Sequence, residues 1–115
     1  MSPLDKPFIW LRGEVKSPPF SASARLEAGY HLWLIQRGDA LSMPVSRPMP
    51  TIGPRCHELR IKDALHTWRI VYRADRDRVL VLDVFDKNDN KTPKSVIRNC
   101  KKTLSKYDKF RKEGT

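Results

Sequence analysis

The sequence predicts an α+β domain in which a small, antiparallel-rich sheet of about four strands is packed by an N-terminal and a C-terminal helix. Three observations lead there. Three consecutive strand-like runs, Cys56 to Lys62, Thr67 to Arg73 and Val79 to Lys87, are separated only by short polar turns, the spacing of an antiparallel meander. Stretches of helical periodicity flank them on both sides. A proline-rich segment separates the first helix from the strands.

Taken in order, Phe8 to Leu11 is a short apolar run after Pro7 and is expected to add an edge strand. Pro18 and Pro19 exclude a helix interior there, and Ser21 is the expected N-cap of a helix reaching about Arg37. Ala24, Ala28, Leu32 and Ile35 keep helical spacing, while Leu26, Tyr30 and Trp33 widen the apolar face. Gly38 is the expected C′ residue. Asp39 to Pro54 carries Pro44, Pro48, Pro50 and Pro54 and reads as an extended loop without a regular element. Its length implies that it covers or frames something. After the strands, Thr92 is the expected N-cap and Pro93 the first residue of a closing helix. Its apolar stripe is Val96, Cys100, Leu104 and Tyr107, with Ile97 beside it.

With 115 residues the chain is expected to form one domain over 1–115. Its net charge of +10 favours a polyanionic partner, nucleic acid first. No apolar run is long enough to span a bilayer, and the N-terminus lacks the apolar core of a secretory signal. Two cysteines are too few for a disulfide framework, so a reducing cytoplasm is expected.

Strand alternation divides the sheet into two faces. Leu59, Ile61, Trp68, Ile70, Tyr72, Leu80, Leu82 and Val84 are expected under the helices. Glu58, Arg60, Lys62, Thr67, Arg69, Val71, Arg73, Val81, Asp83, Phe85 and Lys87 are expected on an open, basic face. Arg and Lys there could hold a nucleic-acid backbone, with Lys94 and Arg98 of the closing helix adding to the field. They could also stabilise the phosphorane formed when a 2′-hydroxyl attacks its neighbouring phosphate. His57, Glu58 and Asp83 are candidates for proton transfer. Neither metal-ligand spacing, a Gly-rich phosphate loop nor a nucleophile elbow is present, so no metal or cofactor is expected.

The ordered segments RCHELRI, TWRIVYR, VLVLDVFDK and NKTP, followed by a basic helix, resemble the HigB-like, phage-derived branch of the RelE/ParE toxin superfamily. That resemblance covers nearly the whole chain. It implies the RelE-like fold and the toxin of a type II toxin–antitoxin system, an endoribonuclease that cuts mRNA on the ribosome. It also implies a cognate helix-turn-helix antitoxin of the HigA or Xre kind. Carried over by position, Arg60 and Arg69 would surround the scissile phosphate, with Lys87 and Lys91 beside them; Arg73 and His57 are further candidates. Lys62, Lys94 and Arg98 complete the expected RNA-binding set with Arg73. One departure is that Asn88 and Asp89 follow Lys87 where the family usually has a second cation. Two alternatives stay open: a ParE-like toxin acting on DNA gyrase, and a non-enzymatic phage-derived protein that binds nucleic acid or a partner.

Overall fold

The computed structural model describes residues 5–12, 20–64, 66–87 and 91–113. In chain order the elements are β1 (Phe8–Trp10), α1 (Ala22–Gln36), β2 (Ser46–Pro48), β3 (Cys56–Asp63), β4 (His66–Ala74), β5 (Val79–Asp86) and α2 (Lys94–Glu113). The strands form one five-stranded sheet in the order β1-β5-β4-β3-β2. β1 runs parallel to β5, and every other pairing is antiparallel. The α+β class is as expected. The additional strand is β2, which forms inside the proline-rich loop because Ser46, Arg47 and Pro48 pair with Leu59, Glu58 and His57. Pro48 is tolerated because β2 is an edge.

Ser21 caps α1 as its sequence position implies: its Oγ accepts from the amide of Ala24 at 3.0 Å. The Ser21 amide in turn donates to Asp63 Oδ2 at 2.9 Å, and Trp68 Nε1 donates to the same oxygen at 3.0 Å. The end of β3 thus fixes where α1 begins. Phe20 stacks on Trp68, ring centroids 4.4 Å apart, and seals that end of the core. Gly38, at φ 95°, ends the helix in the left-handed conformation that favours glycine.

The helices do not share a face of the sheet. α1 covers one side, where Ala24, Ala28, Leu32 and Ile35 pack on Leu59, Ile61, Trp68, Ile70, Tyr72, Val79 and Val81. α2 covers the other, where Cys100 and Leu104 pack with Met49, Ile52, Cys56, Val71, Leu80 and Leu82. The face expected to be open is therefore closed by α2 over β5 and the Arg73 end of β4.

Alternation also fails along β5. Leu80 and Leu82 were expected beside Trp68, and Val81 opposite, but the two sets exchange sides. The cause is a register shift at Val71/Tyr72, where Val71 pairs with Asp83 and Tyr72 with Val81, leaving Leu82 without an opposite number. Beyond the bulge the phase returns, so Val84 and Phe85 lie on their expected sides.

Arg73 ties the C-terminal part of α2 to the sheet. Its Nε donates to Asp75 Oδ1 at 2.7 Å, and its Nη1 and Nη2 donate to the two oxygens of Asp108 at 2.9 and 2.8 Å. These bonds hold the Asp108 carboxyl below its ordinary range. The Ser21 amide, helped by Trp68, does the same for Asp63. Both groups have a folded pKa below the unfolded one. Their stabilisation is therefore complete above the unfolded value of roughly 3.9 and is lost as pH falls through the folded one. Asp63→Asn and Asp108→Asn should each flatten the dependence of unfolding free energy on pH in the acid limb, measured by urea titration from neutral pH downwards. Arg73→Ala should cost about 3 kcal/mol at neutral pH, since it leaves the buried Asp75 carboxylate with only the longer 3.4 Å contact to Arg55.

Candidate nucleic-acid interface

The end of the sheet away from the Arg73 clamp carries the basic residues, and a single carboxylate organises them. Glu58, in the middle of β3, is fully buried. Its Oε1 accepts from Arg69 Nη1 at 2.6 Å and from Arg47 Nη2 at 3.1 Å, and its Oε2 accepts from the Thr92 hydroxyl at 2.8 Å. Arg47 Nη2 also donates to Thr92 Oγ1 at 3.1 Å. Arg69 Nε donates to the carbonyl of Lys87 at 3.0 Å. One acid side chain therefore connects β2, β4, the chain leaving β5 and the approach to α2. Burying an ion pair is tolerable only with this degree of hydrogen bonding.

Thr92 was the expected N-cap of α2, but Pro93 occupies that place, because its carbonyl accepts from the amides of Val96 and Ile97 at 3.1 and 3.2 Å. The buried Thr92 hydroxyl faces the sheet instead, and its bond to Glu58 holds the start of α2 beside β2.

Between β2 and α2 lies a groove of about 430 Å³ lined by Arg47, Pro48, Met49, Pro50, Thr51, Lys91, Thr92, Lys94 and Ile97. That volume falls within the roughly 300–1,000 Å³ usual for ligand sites. Its floor is apolar where Met49 and Ile97 meet the α2-side core. Its rim is cationic, with Arg47, Lys91 and Lys94 as the charged lining residues.

The expected site residues divide into three groups. Lys91 and Lys94 line the groove, while Arg60, half exposed, sits opposite Arg69 in the β3–β4 register. Lys62 continues the Arg60 side of β3 and is exposed, and Lys87 follows β5, its amide bonded to the Thr67 carbonyl at 3.1 Å. Arg98 is exposed one turn along α2 from Lys94, beyond the groove lining. Arg69 is near this cluster but 0% exposed, so its guanidinium supports the floor and does not meet solvent. It pairs with Glu58, not with Asp83, whose Oδ1 accepts from the amide of Val84 at 2.9 Å.

Two expectations separate from the site. Arg73 is buried at the far end of α2, committed to Asp75 and Asp108. His57 points to the α1 side, its ring stacked on Tyr72 at 5.3 Å, so strand alternation puts it on the opposite face from Arg60 and Glu58. Asn88 and Asp89 lie outside the described residues. Arg47 and Thr92, which line the groove and bond Glu58 behind it, were not among the site residues expected from the sequence. The signal for Arg47 was the excessive length of the proline loop around it.

Burial pushes the Cys56 thiol up to about 11 and the Cys100 thiol up to about 12, leaving both as neutral core groups. Among the described residues, no three His, Cys, Asp or Glu side chains gather to hold a metal ion. No described helix is long and apolar enough to cross a membrane. Because Arg69 is locked to buried Glu58, Arg69→Ala should destabilise the domain by about 3–5 kcal/mol in urea unfolding. Lys94→Ala, at an exposed position, should stay within about 0.5 kcal/mol of the wild type.

Comparison with known families matches residues 19–105 to "Phage derived protein Gp49-like (DUF891)". The matched span contains α1, all of β2 to β5, the whole groove lining and the first half of α2. No curated protein matches the chain significantly. The matched family falls within the RelE/HigB-like toxin group of toxin–antitoxin systems, for which an antitoxin partner is implied. By a match over most of its length, the chain belongs to the Gp49-like family of phage-derived proteins.

Proposed function

We propose that this protein is the toxin of a type II toxin–antitoxin system and acts as a ribosome-dependent mRNA endoribonuclease. The observation that carries the reading is the groove itself, in which a cationic rim surrounds an apolar floor, with Arg60 two residues along β3 from Glu58. Single-stranded RNA needs both features: cations for its backbone and an apolar surface for an unstacked base.

In the proposed reaction a 2′-oxygen attacks the adjacent phosphorus, the bond to the 5′-oxygen breaks, and a 2′,3′-cyclic phosphate is left on the upstream fragment. The attacking hydroxyl gives up a proton and the leaving oxygen gains one. Arg47, Arg60, Lys87, Lys91 and Lys94 are assigned to charge stabilisation at the phosphorane and its flanking phosphates. Arg69 acts through Glu58 and the Lys87 carbonyl as a positioning residue. Lys62 and Arg98 extend the positive field for the RNA beyond the groove. The step requires no metal, and a helix-turn-helix antitoxin of the HigA or Xre kind would restrain the toxin in the cytoplasm.

The test is expression under an inducible promoter, with primer extension on translated mRNA. Arg60→Ala and Lys91→Ala should each reduce cleavage by about 10²-fold, the usual loss when one preorganised charge donor is removed. Their melting temperatures should match the wild type. Wild-type toxicity in both variants would overturn the site assignment, and cleavage of purified translation complexes that stops in EDTA would overturn the metal-free step. Growth arrest with intact mRNA and inhibited gyrase would instead support the ParE-like alternative.

A further inference from the structure

α1 is apolar on two sides, but the fold uses only one. Ala24, Ala28, Leu32 and Ile35 face the sheet, while Leu26, Tyr30 and Trp33 follow one another along the opposite side at 76%, 56% and 40% exposure. A helix with apolar residues all round normally lies inside a protein. The Tyr30 and Trp33 rings lie 6.2 Å apart, and the Arg37 guanidinium covers Trp33 at 4.9 Å, continuing the stripe with a cation. Aromatic side chains so placed are the commonest anchors of protein interfaces.

Gly29 adds a separate observation. It is exposed in the interior of α1 on the flank of this stripe, without positive φ, and a Cβ built on it would meet nothing within 4 Å. Neither the backbone nor the internal packing requires a glycine there, yet glycine weakens a helix interior. A bare backbone beside exposed aromatics leaves room for the close approach of another chain.

We propose that the outer face of α1 docks an acidic amphipathic helix of the cognate antitoxin, with Leu26, Tyr30 and Trp33 as anchors and Gly29 as the point of closest approach. Charge selects this occupant. The protein carries +10, and Arg25 and Arg37 flank the stripe at its two ends. The acid on this helix, Glu27, lies to one side and pairs with His31 at 3.8 Å. A second copy fits poorly: Arg25 and Arg37 are placed symmetrically about His31, so an antiparallel two-fold pairing would oppose the Arg25 end of one copy to the Arg37 end of the other. An acidic helix meets both ends favourably. The face lies across the sheet from the groove. The proposal rests on the toxin–antitoxin reading but not on RNA cleavage.

The test measures the affinity of the purified full-length antitoxin for the intact chain, alongside growth assays with and without the antitoxin. Tyr30→Ala with Trp33→Ala should weaken the complex by about 30-fold or more. The double variant should remain folded and stay toxic in cells even when the antitoxin is supplied. Gly29→Gln separates docking from a structural role. It should raise the melting temperature of the free chain by roughly 4 °C, because the helix gains a better former, while weakening the complex at least about tenfold. Lys91→Ala should bind the antitoxin as the wild type does, and a wild-type chain that binds the antitoxin but cleaves no mRNA would count against the nuclease reading alone. Unchanged affinity in both α1 variants overturns the proposal, as does an α1 face that proves to hold two copies of this chain together by sedimentation. A chain that binds no antitoxin overturns it as well.

Discussion

The Glu58 carboxylate is the point on which the basic end of this protein depends. It is wholly out of water, and on its own such a charge would be expelled or protonated. Instead it receives two guanidinium groups and a hydroxyl, each from a different segment of the chain. The attraction is strong because the surroundings are apolar, and for the same reason losing any donor would be costly. Arg60 and Arg69 sit opposite each other in register, an arrangement of like charges that is unfavourable across a sheet. Glu58 offsets it by neutralising the buried member, Arg69.

This division of labour explains how a small domain keeps so many cations close together. Buried cations are spent on structure: Arg69 on Glu58, Arg73 on Asp75 and Asp108. Lysines occupy exposed places, at positions 62, 91 and 94, where water and counter-ions moderate their repulsion. Arg47 spans the two classes, being a quarter exposed at the groove and bonded to Glu58 behind it. α2 is held at both ends by side-chain bonds, through Thr92 at one and Asp108 at the other. The spacing between β2 and α2, and so the width of the groove, follows from these two attachments.

Much of this was legible in the sequence. Ser21, Gly38 and the stripe from Val96 to Tyr107 identified their helices because capping and periodicity are local effects. The meander was legible for the same reason. What local pattern could not supply was the side of the sheet on which each helix lies. Val79, Leu80, Val81 and Leu82 are all buried, so no polar residue marks the phase, and the bulge opposite Val71 and Tyr72 reverses it unseen. Around the groove, Lys91 and Lys94 are exposed and Arg60 half-buried, whereas Arg69 and Arg73 look the same in sequence and are internal ties. Which arginine finds a buried carboxylate depends on contacts far apart in the chain, such as Arg73 with Asp108 or Arg47 with Glu58. His57 could have been set aside by alternation alone, given that Glu58 and Arg60 lie on the other side of β3.

The wiring of Glu58 also has a consequence in time. Its donors come from positions 47, 69 and 92, and one wall of the groove comes from residues 91 to 97. During synthesis the chain emerges from its N-terminus and the strands precede α2. The groove therefore has no second wall until the start of α2 has left the exit tunnel and settled against the sheet. Up to that moment, each nascent chain carries only a half-built groove.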